Sequence, residues 1–544
     1  MSHCFAGNHL VLNRLRLRDL LGLWPEDVDF LNRHSIESEK HAYEEHFPRP
    51  GSALFAHIAK DSLGNLLRSV AEQLPRELVL NIARFSWPCA LQKPATILRE
   101  GQSLLDFAKR QKSNHIDVLK FAGELALVRY CNFLGHRYAT SVALQENTVA
   151  DRKNVLSIAV TRDELGVLDI NFQGHFRYSR NGLWYRLIQA ETDNLELCVY
   201  TKNIIMDIEL ANTHAPIWNP YWNCQFLSQP KVSTWYVRNS TGLVHNCETS
   251  LPQRMRYVEL NEDTQGIIVA CAIDGFVSLE ACGRGSKPYN YARVTHGFSD
   301  RTVYTFMPLH KGDFIAAAWI REPKHDVSSR QSVLVLNTSF QRTCTFGHYV
   351  PTEREHRYRF EPLLKQNAYR ITGFCYNDDA ALFSGRLKIG VTYEGKAIGS
   401  LTTPPLQAAY TMPKPWIPQW WASSPSLAGA SKRRGWNVSS ASLARANHVR
   451  MFVNNKKSHK PTMGMLLSYE DHQESLGQYR FDCDVEDYDL TGPMCFFSGE
   501  TILGPYIKII CNSEEKPGWT EIPRAAKLVW WFTDVCSQLD VLTM

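Results

Sequence analysis

Between residues 155 and 394 the chain is a succession of short segments rich in β-branched and aromatic residues. They are VLSIAVTRD, GVLDINFQ, LELCVYT, STWYVRN, GIIVACAIDGFVSLEAC, TVYTFMPL, DFIAAAWIRE, SVLVLNTSF, YRITGFCY and LKIGVTYE. Gly, Asn, Asp and Pro punctuate them at the spacing of a sandwich, prism or barrel. No helical stretches alternate with them, so parallel βαβ units are not expected. The chain has 544 residues, of which 44% are hydrophobic and 21% charged. That is enough apolar material for several cores without disulfide or metal staples.

Two other regions have a different character. Apolar residues recur at helical spacing in LLRSVAEQLPRELVLNIARF (66–85) and HIDVLKFAGELALVRYCNFLG (115–135), which predicts a helical region over 66–145 behind an N-terminal arm, 1–65. Residues 403–465 are rich in Pro and Ser and lack a strand rhythm. From Gly395 to Tyr469 there are ten Lys or Arg residues and no Asp or Glu, whereas 470–489 hold eight acidic residues and one Arg. This reads as a basic insertion that is solvated or docks on the acidic strip. A nucleic-acid arm is the lesser reading, with Trp416, Trp420 and Trp421 anchoring the loop on a β-core rather than stacking bases. Strand-like sequence resumes in 466–544 and is expected to complete the β-rich domain of 150–402.

The expected fold class is therefore α+β: a helical N-terminal part followed by a mainly antiparallel β-rich domain, sandwich or prism-like. No window reaches the length of a membrane span, and Arg14, Arg16 and Arg18 interrupt any leader-like stretch. The fourteen cysteines show no C-x-x-C spacing and read as small buried hydrophobes in a reducing, cytoplasmic or nuclear setting.

Motifs for chemistry are weak. The histidines of HAYEEH (41–46) are five apart, about 140° around a helix, where one metal cannot take both. GVTYEGKA (390–397) has phosphate-loop glycines but Ala397 where a hydroxyl is needed, and a hairpin turn at Glu394-Gly395 explains them better. No nucleophile elbow appears. Neither an enzyme nor a cofactor is implied.

The segment AEQLPRELVLNIARFSWP (71–88) carries a partner signal. Pro75 suits a first helical turn, Glu77 sits near its positive end, and Leu74, Leu78, Ile82 and Phe85 form one stripe. Leu74, Pro75, Glu77, Leu78 and Ile82 resemble the opening of an F-box, whose role is to dock a Skp-type adaptor of SCF ubiquitin ligases. The likeness covers 74–85 clearly and runs loosely to 107. Residues 306–350 are similar to a jacalin-like lectin segment. Leu309, Gly312, Asp313, Phe314 and Ile315 parallel one of that family's strands, and Leu334, Leu336, Thr338, Arg342, Thr345, Phe346 and Gly347 parallel the next. The family's sugar-binding loops have no counterpart. DELGVLDINF (163–172), with the F-box-like helix, also resembles fungal F-box-like proteins that carry a β-rich body.

These resemblances imply a non-catalytic adaptor. Its adaptor-binding residues would be Leu74, Pro75, Glu77, Leu78 and Ile82, with a protein or glycan ligand on the β body and no membrane partner. The alternatives are an intracellular lectin-like protein with a helical scaffold, or a hydrolase of unfamiliar type. The turn 322–326 of the jacalin-like stretch is expected to be exposed.

Overall fold

The structure, a computed structural model, describes residues 115–543 apart from internal segments, the longer of which are 146–156, 212–218, 238–253, 284–301, 325–331, 378–386, 396–403 and 415–434. The described residues are almost entirely β: thirty strands and one 3-10 turn at Thr352–Arg357. The expectation of an α+β chain with a helical N-terminal part is thereby overturned. Residues 66–114 lie outside the described residues. The rest of the expected helix, 115–145, forms the strands His115–Phe121, Leu125–Phe133 and His136–Gln145.

The reason is long-range pairing. His115–Phe121 lies antiparallel to Leu195–Thr201 through seven register pairs, from His115↔Thr201 to Phe121↔Leu195. Leu125–Phe133 folds back on His136–Gln145. The apolar spacing of this segment satisfied a helix as well as a strand, and distant partners decided between them.

The chain divides into two compact units, 1–228 and 229–544. In the first, Ser157–Arg162 pairs with Val167–Asn171 and Trp184–Gln189. Their apolar faces share a core with Leu197, Val199, Ile205 and Ile208. The Asp-x-x-Gly of DELGVLDINF is a turn lock. Asp163 accepts from the Gly166 N–H and the Tyr138 hydroxyl, at 3.1 and 2.6 Å. A Cβ on Gly166 would sit 2.5 Å from Ile204 Cδ1.

A buried ionic knot lies in this unit. Asp207 Oδ1 accepts from Arg186 Nη1 (2.9 Å), the Tyr221 hydroxyl (2.7 Å) and the Ile208 N–H (2.8 Å). The Arg186 guanidinium lies 3.8 Å over the Tyr221 ring. Burial first, and then the Asp207 charge, push the Tyr221 phenol far above its ordinary range.

In the second unit two cores follow one another. Val232–Val237, Arg254–Glu259, Arg370–Asn377 and Lys388–Glu394, the sheet around Thr264–Ala272, and the sheet around Ile315–Pro323 enclose Ile267, Leu334, Phe346 and Phe374. The strands from Asn437 onward pair among themselves and enclose Met451, Leu467, Trp530 and Phe532. They build their own sheets rather than adding to those of 229–395. Residues 437–468, expected to lack strand rhythm, form Asn437–Ser442, His448–Val453 and Thr462–Ser468. The basic stretch does dock on the acidic strip. His448–Val453 pairs antiparallel with Asp484–Asp489, and Arg450 Nε meets Asp487 at 2.8 Å.

The two cores are linked by Tyr479 N–H donating to Tyr304 O at 3.0 Å and by a row of rings. Tyr469 stacks on His472 at 4.2 Å, and His472 lies 4.6 Å from His310. Asp471 Oδ1 holds His472 Nδ1 at 2.5 Å, while His310 Nε2 is buried without a hydrogen-bond partner. Burial, then the Arg342 charge and His472, lower the His310 pKa against the weaker pull of Asp313 and Asp471.

Two outcomes follow. Asp207→Ala leaves the Arg186 charge buried, and urea unfolding should show a loss of about 3–5 kcal/mol; a loss below about 1 kcal/mol contradicts the reading. Folding lowers the His310 pKa, whereas unfolded histidine takes a proton near about pH 6.5. Its contribution is therefore present above that pH and lost as pH falls. The melting temperature of His310→Gln should drop less between neutral and mildly acidic pH than that of the parent chain; equal slopes contradict the assignment.

Candidate ligand-binding groove

The strand Ala526–Phe532 (AKLVWWF) organises the site. Its side chains alternate across the sheet. Leu528, Trp530 and Phe532 enter the core, and Val529 and Trp531 face the other way. That outer face is covered by Tyr349 and Trp436 and by a short extended segment, 409–414, through Tyr410 and Met412. Tyr349 meets Trp531 edge to face at 5.2 Å. The Tyr349 hydroxyl donates to Tyr410 O (3.1 Å) and accepts from the Tyr410 N–H (2.8 Å). The Tyr410 hydroxyl donates to Ser440 Oγ at 2.8 Å.

Beside this clamp runs a groove of about 850 Å³. Tyr410, Met412 and Lys414 line it from the segment 409–414, and Phe496 and Glu521 from two further strands. Its floor includes five consecutive residues, Gln538–Leu542. The groove thus runs along the strand Ser537–Thr543. Among the described residues that strand pairs only with Ala526–Phe532. The Trp531 indole N–H donates to Asp540 Oδ2 at 2.8 Å, so this carboxylate is already engaged. A trough of mixed apolar and charged lining beside a strand edge left unpaired among the described residues offers main-chain hydrogen bonds and side-chain pockets together.

No protein-family model matches this chain, and no curated protein matches it.

The residues singled out from the sequence fall elsewhere. Leu74, Pro75, Glu77, Leu78 and Ile82 lie outside the described residues, as do Trp416, Trp420 and Trp421. The jacalin-like stretch forms the expected antiparallel pair, Ile315–Pro323 with Val333–Thr338. Its matched residues serve the framework. Leu334 and Leu336 are core. Asp313 accepts from the Ser339 hydroxyl, the Phe340 N–H and Arg342 Nη2 at 2.7, 3.1 and 2.7 Å. Burial alone would raise the Asp313 carboxyl, but these bonds carry it below the ordinary range. The turn expected to be exposed is in part buried. Glu322 accepts from the Tyr236 hydroxyl and from Arg359 Nε, each at 2.5 Å, which draws it inside. Among the described residues, no three His, Cys, Asp or Glu side chains are grouped to hold a metal ion.

The groove was missed because its parts come from 409–414, 496, 520–521 and 538–542, which no linear motif joins. The only local signal is AAYTM, an aromatic and a thioether within a Pro-rich stretch. Tyr349→Phe removes both bonds of the clamp. Hydrogen exchange at the Tyr410 amide should accelerate, with a stability loss of about 1 kcal/mol; unchanged exchange would show that the clamp holds without them.

Proposed function

We propose that this chain is a non-catalytic adaptor that takes up an extended protein segment along the edge of Ser537–Thr543 and engages a Skp-type adaptor of an SCF ubiquitin ligase through Leu74, Pro75, Glu77, Leu78 and Ile82. The observation that carries the ligand half is the groove, lined by Tyr410, Met412 and Phe496, that runs along a strand left with one edge unpaired among the described residues. Strand addition draws affinity from main-chain bonds and selectivity from alternate side-chain pockets. Lys414 and Glu521 would set charge preference at the rims. The ligase half rests on the F-box-like residues alone.

Each half has its own test. Peptides selected from a displayed random library on the parent chain should bind at least about tenfold more weakly to Met412→Glu combined with Leu542→Glu. Equal binding removes the groove as the site, and selective enrichment on a glycan array instead would favour the lectin-like alternative. Purified Skp-type adaptor should co-elute with the parent chain and be lost with Leu78→Asp plus Ile82→Asp. Unchanged co-elution with a folded double variant contradicts the ligase half only.

A further inference from the structure

Three turns meet at one end of the 435–543 body. The first, Asn454–Pro461, carries Lys456, Lys457, His459 and Lys460. The second joins Met494–Thr501 to Gly504–Cys511 through Ile502 and Leu503. The third contains Val535 and Cys536. Lys457, His459, Tyr506, Val535 and Cys536 line one small recess, and the Cys536 thiol donates to Leu503 O at 3.3 Å.

The middle turn breaks local chemistry. Its hairpin pairs Thr501 with Gly504, leaving two central residues. Such positions ordinarily take Asn, Asp or Gly. Here they hold Ile502 and Leu503, which are 73% and 46% exposed. Ile502 is the most exposed large hydrophobe among the described residues. The turn is nevertheless ordered. The Thr501 hydroxyl accepts from the Leu503 N–H at 3.2 Å and donates to Gly504 O at 3.1 Å. Two aliphatic side chains are thus held outward on a rigid tip, at a cost in water that folding alone does not explain.

What surrounds the tip is amphipathic. On the outer face of the hairpin Tyr506 lies across Gly499, where a Cβ would come 2.4 Å from its ring. Phe497 follows at 6.3 Å from Tyr506 and Trp519 at 5.7 Å from Phe497, each half-buried. His459 lies 4.5 Å from Tyr506 on the other side. Lys508 projects beside Tyr506, with Nζ 6.0 Å from the ring centre. Lys456, Lys457 and Lys460 of the first turn and Lys508 of the hairpin are the cations of this end. Among the described residues near this end, Glu500 and Glu521 are exposed carboxylates, Asp484 accepts from Asn455 Nδ2 at 2.8 Å, and Asp534 Oδ2 is buried.

We propose that this end docks on an anionic membrane surface. Ile502 and Leu503 enter the boundary between headgroups and acyl chains, and Tyr506, Phe497 and Trp519 lie at headgroup level. Lys456, Lys457, Lys460 and Lys508 meet the phosphates. Exposed aliphatic residues at the tip, with aromatic rings and lysines behind them, are the order of polarity that an interface presents. A nucleic-acid strand would favour exposed rings and would gain little from an isoleucine at the summit. The sequence gives no membrane span, and interfacial docking requires none. The inference is independent of the groove, whose residues it does not use.

The test is co-sedimentation of the full chain with phosphatidylcholine vesicles, with or without phosphatidylserine in about a third of the lipid. Binding should require phosphatidylserine and weaken at high salt. Ile502→Ser with Leu503→Ser should bind at least about tenfold more weakly, as withdrawal of two apolar side chains from the interface demands. Circular dichroism should be unchanged, since both residues are exposed. Lys457→Glu with Lys508→Glu should abolish the phosphatidylserine preference. Failure to sediment with anionic vesicles overturns the proposal, as does undiminished binding by the tip variant. Lysine-dependent binding of a single-stranded oligonucleotide that is indifferent to the tip would overturn it too, assigning the surface to nucleic acid.

Discussion

The body from residue 435 onward depends on one long-range pairing. Asn437–Ser442 lies antiparallel to Ala526–Phe532, with Val438 opposite Trp531 and Ala441 opposite Leu528. The register places Trp530 and Phe532 inside and Trp531 outside. A slip by one residue would turn Trp530 and Phe532 outward and Trp531 inward, breaking the edge-to-face contact of Trp531 with Tyr349. Both proposed surfaces follow from this closure. Ser537–Thr543 can present an edge only because Ala526–Phe532 holds its other side. The turns that carry Ile502 and Lys457 converge only where the sheets come together.

Much of the β architecture was legible in the sequence. The ten β-type segments between 155 and 394 all contribute strands, since alternation and Gly/Asn/Asp punctuation carry local information. The hairpin of Ile315–Pro323 and Val333–Thr338 could be read from FIAAAWI and SVLVLNTSF. Gly395, with φ +79°, ends the strand Lys388–Glu394, and the hairpin expected there would continue outside the described residues.

What was not legible depended on partners far along the chain. HIDVLKF and LALVRYCNF carry apolar residues compatible with either period, and only Leu195–Thr201 and His136–Gln145 make them strands. NVSSAS and HVRMFV sit inside a stretch whose Pro, Ser and Lys content masks them. Charge was the more informative signal there, because the basic run and the acidic strip proved to be neighbouring strands. Glu322 looked like turn material, yet Tyr236 and Arg359 hold it inside. The groove is the extreme case: its lining comes from separated segments that no linear side-chain pattern joins.

The central claim is that Ser537–Thr543 keeps one edge open for a ligand strand. Residue-resolved hydrogen exchange of its amides in the unliganded full chain tests this most directly. Alternate amides bonded to Ala526–Phe532 should be protected while those pointing into the groove exchange rapidly. Uniform protection along 537–543 would mean that the edge is already covered, and the account of ligand capture would fail.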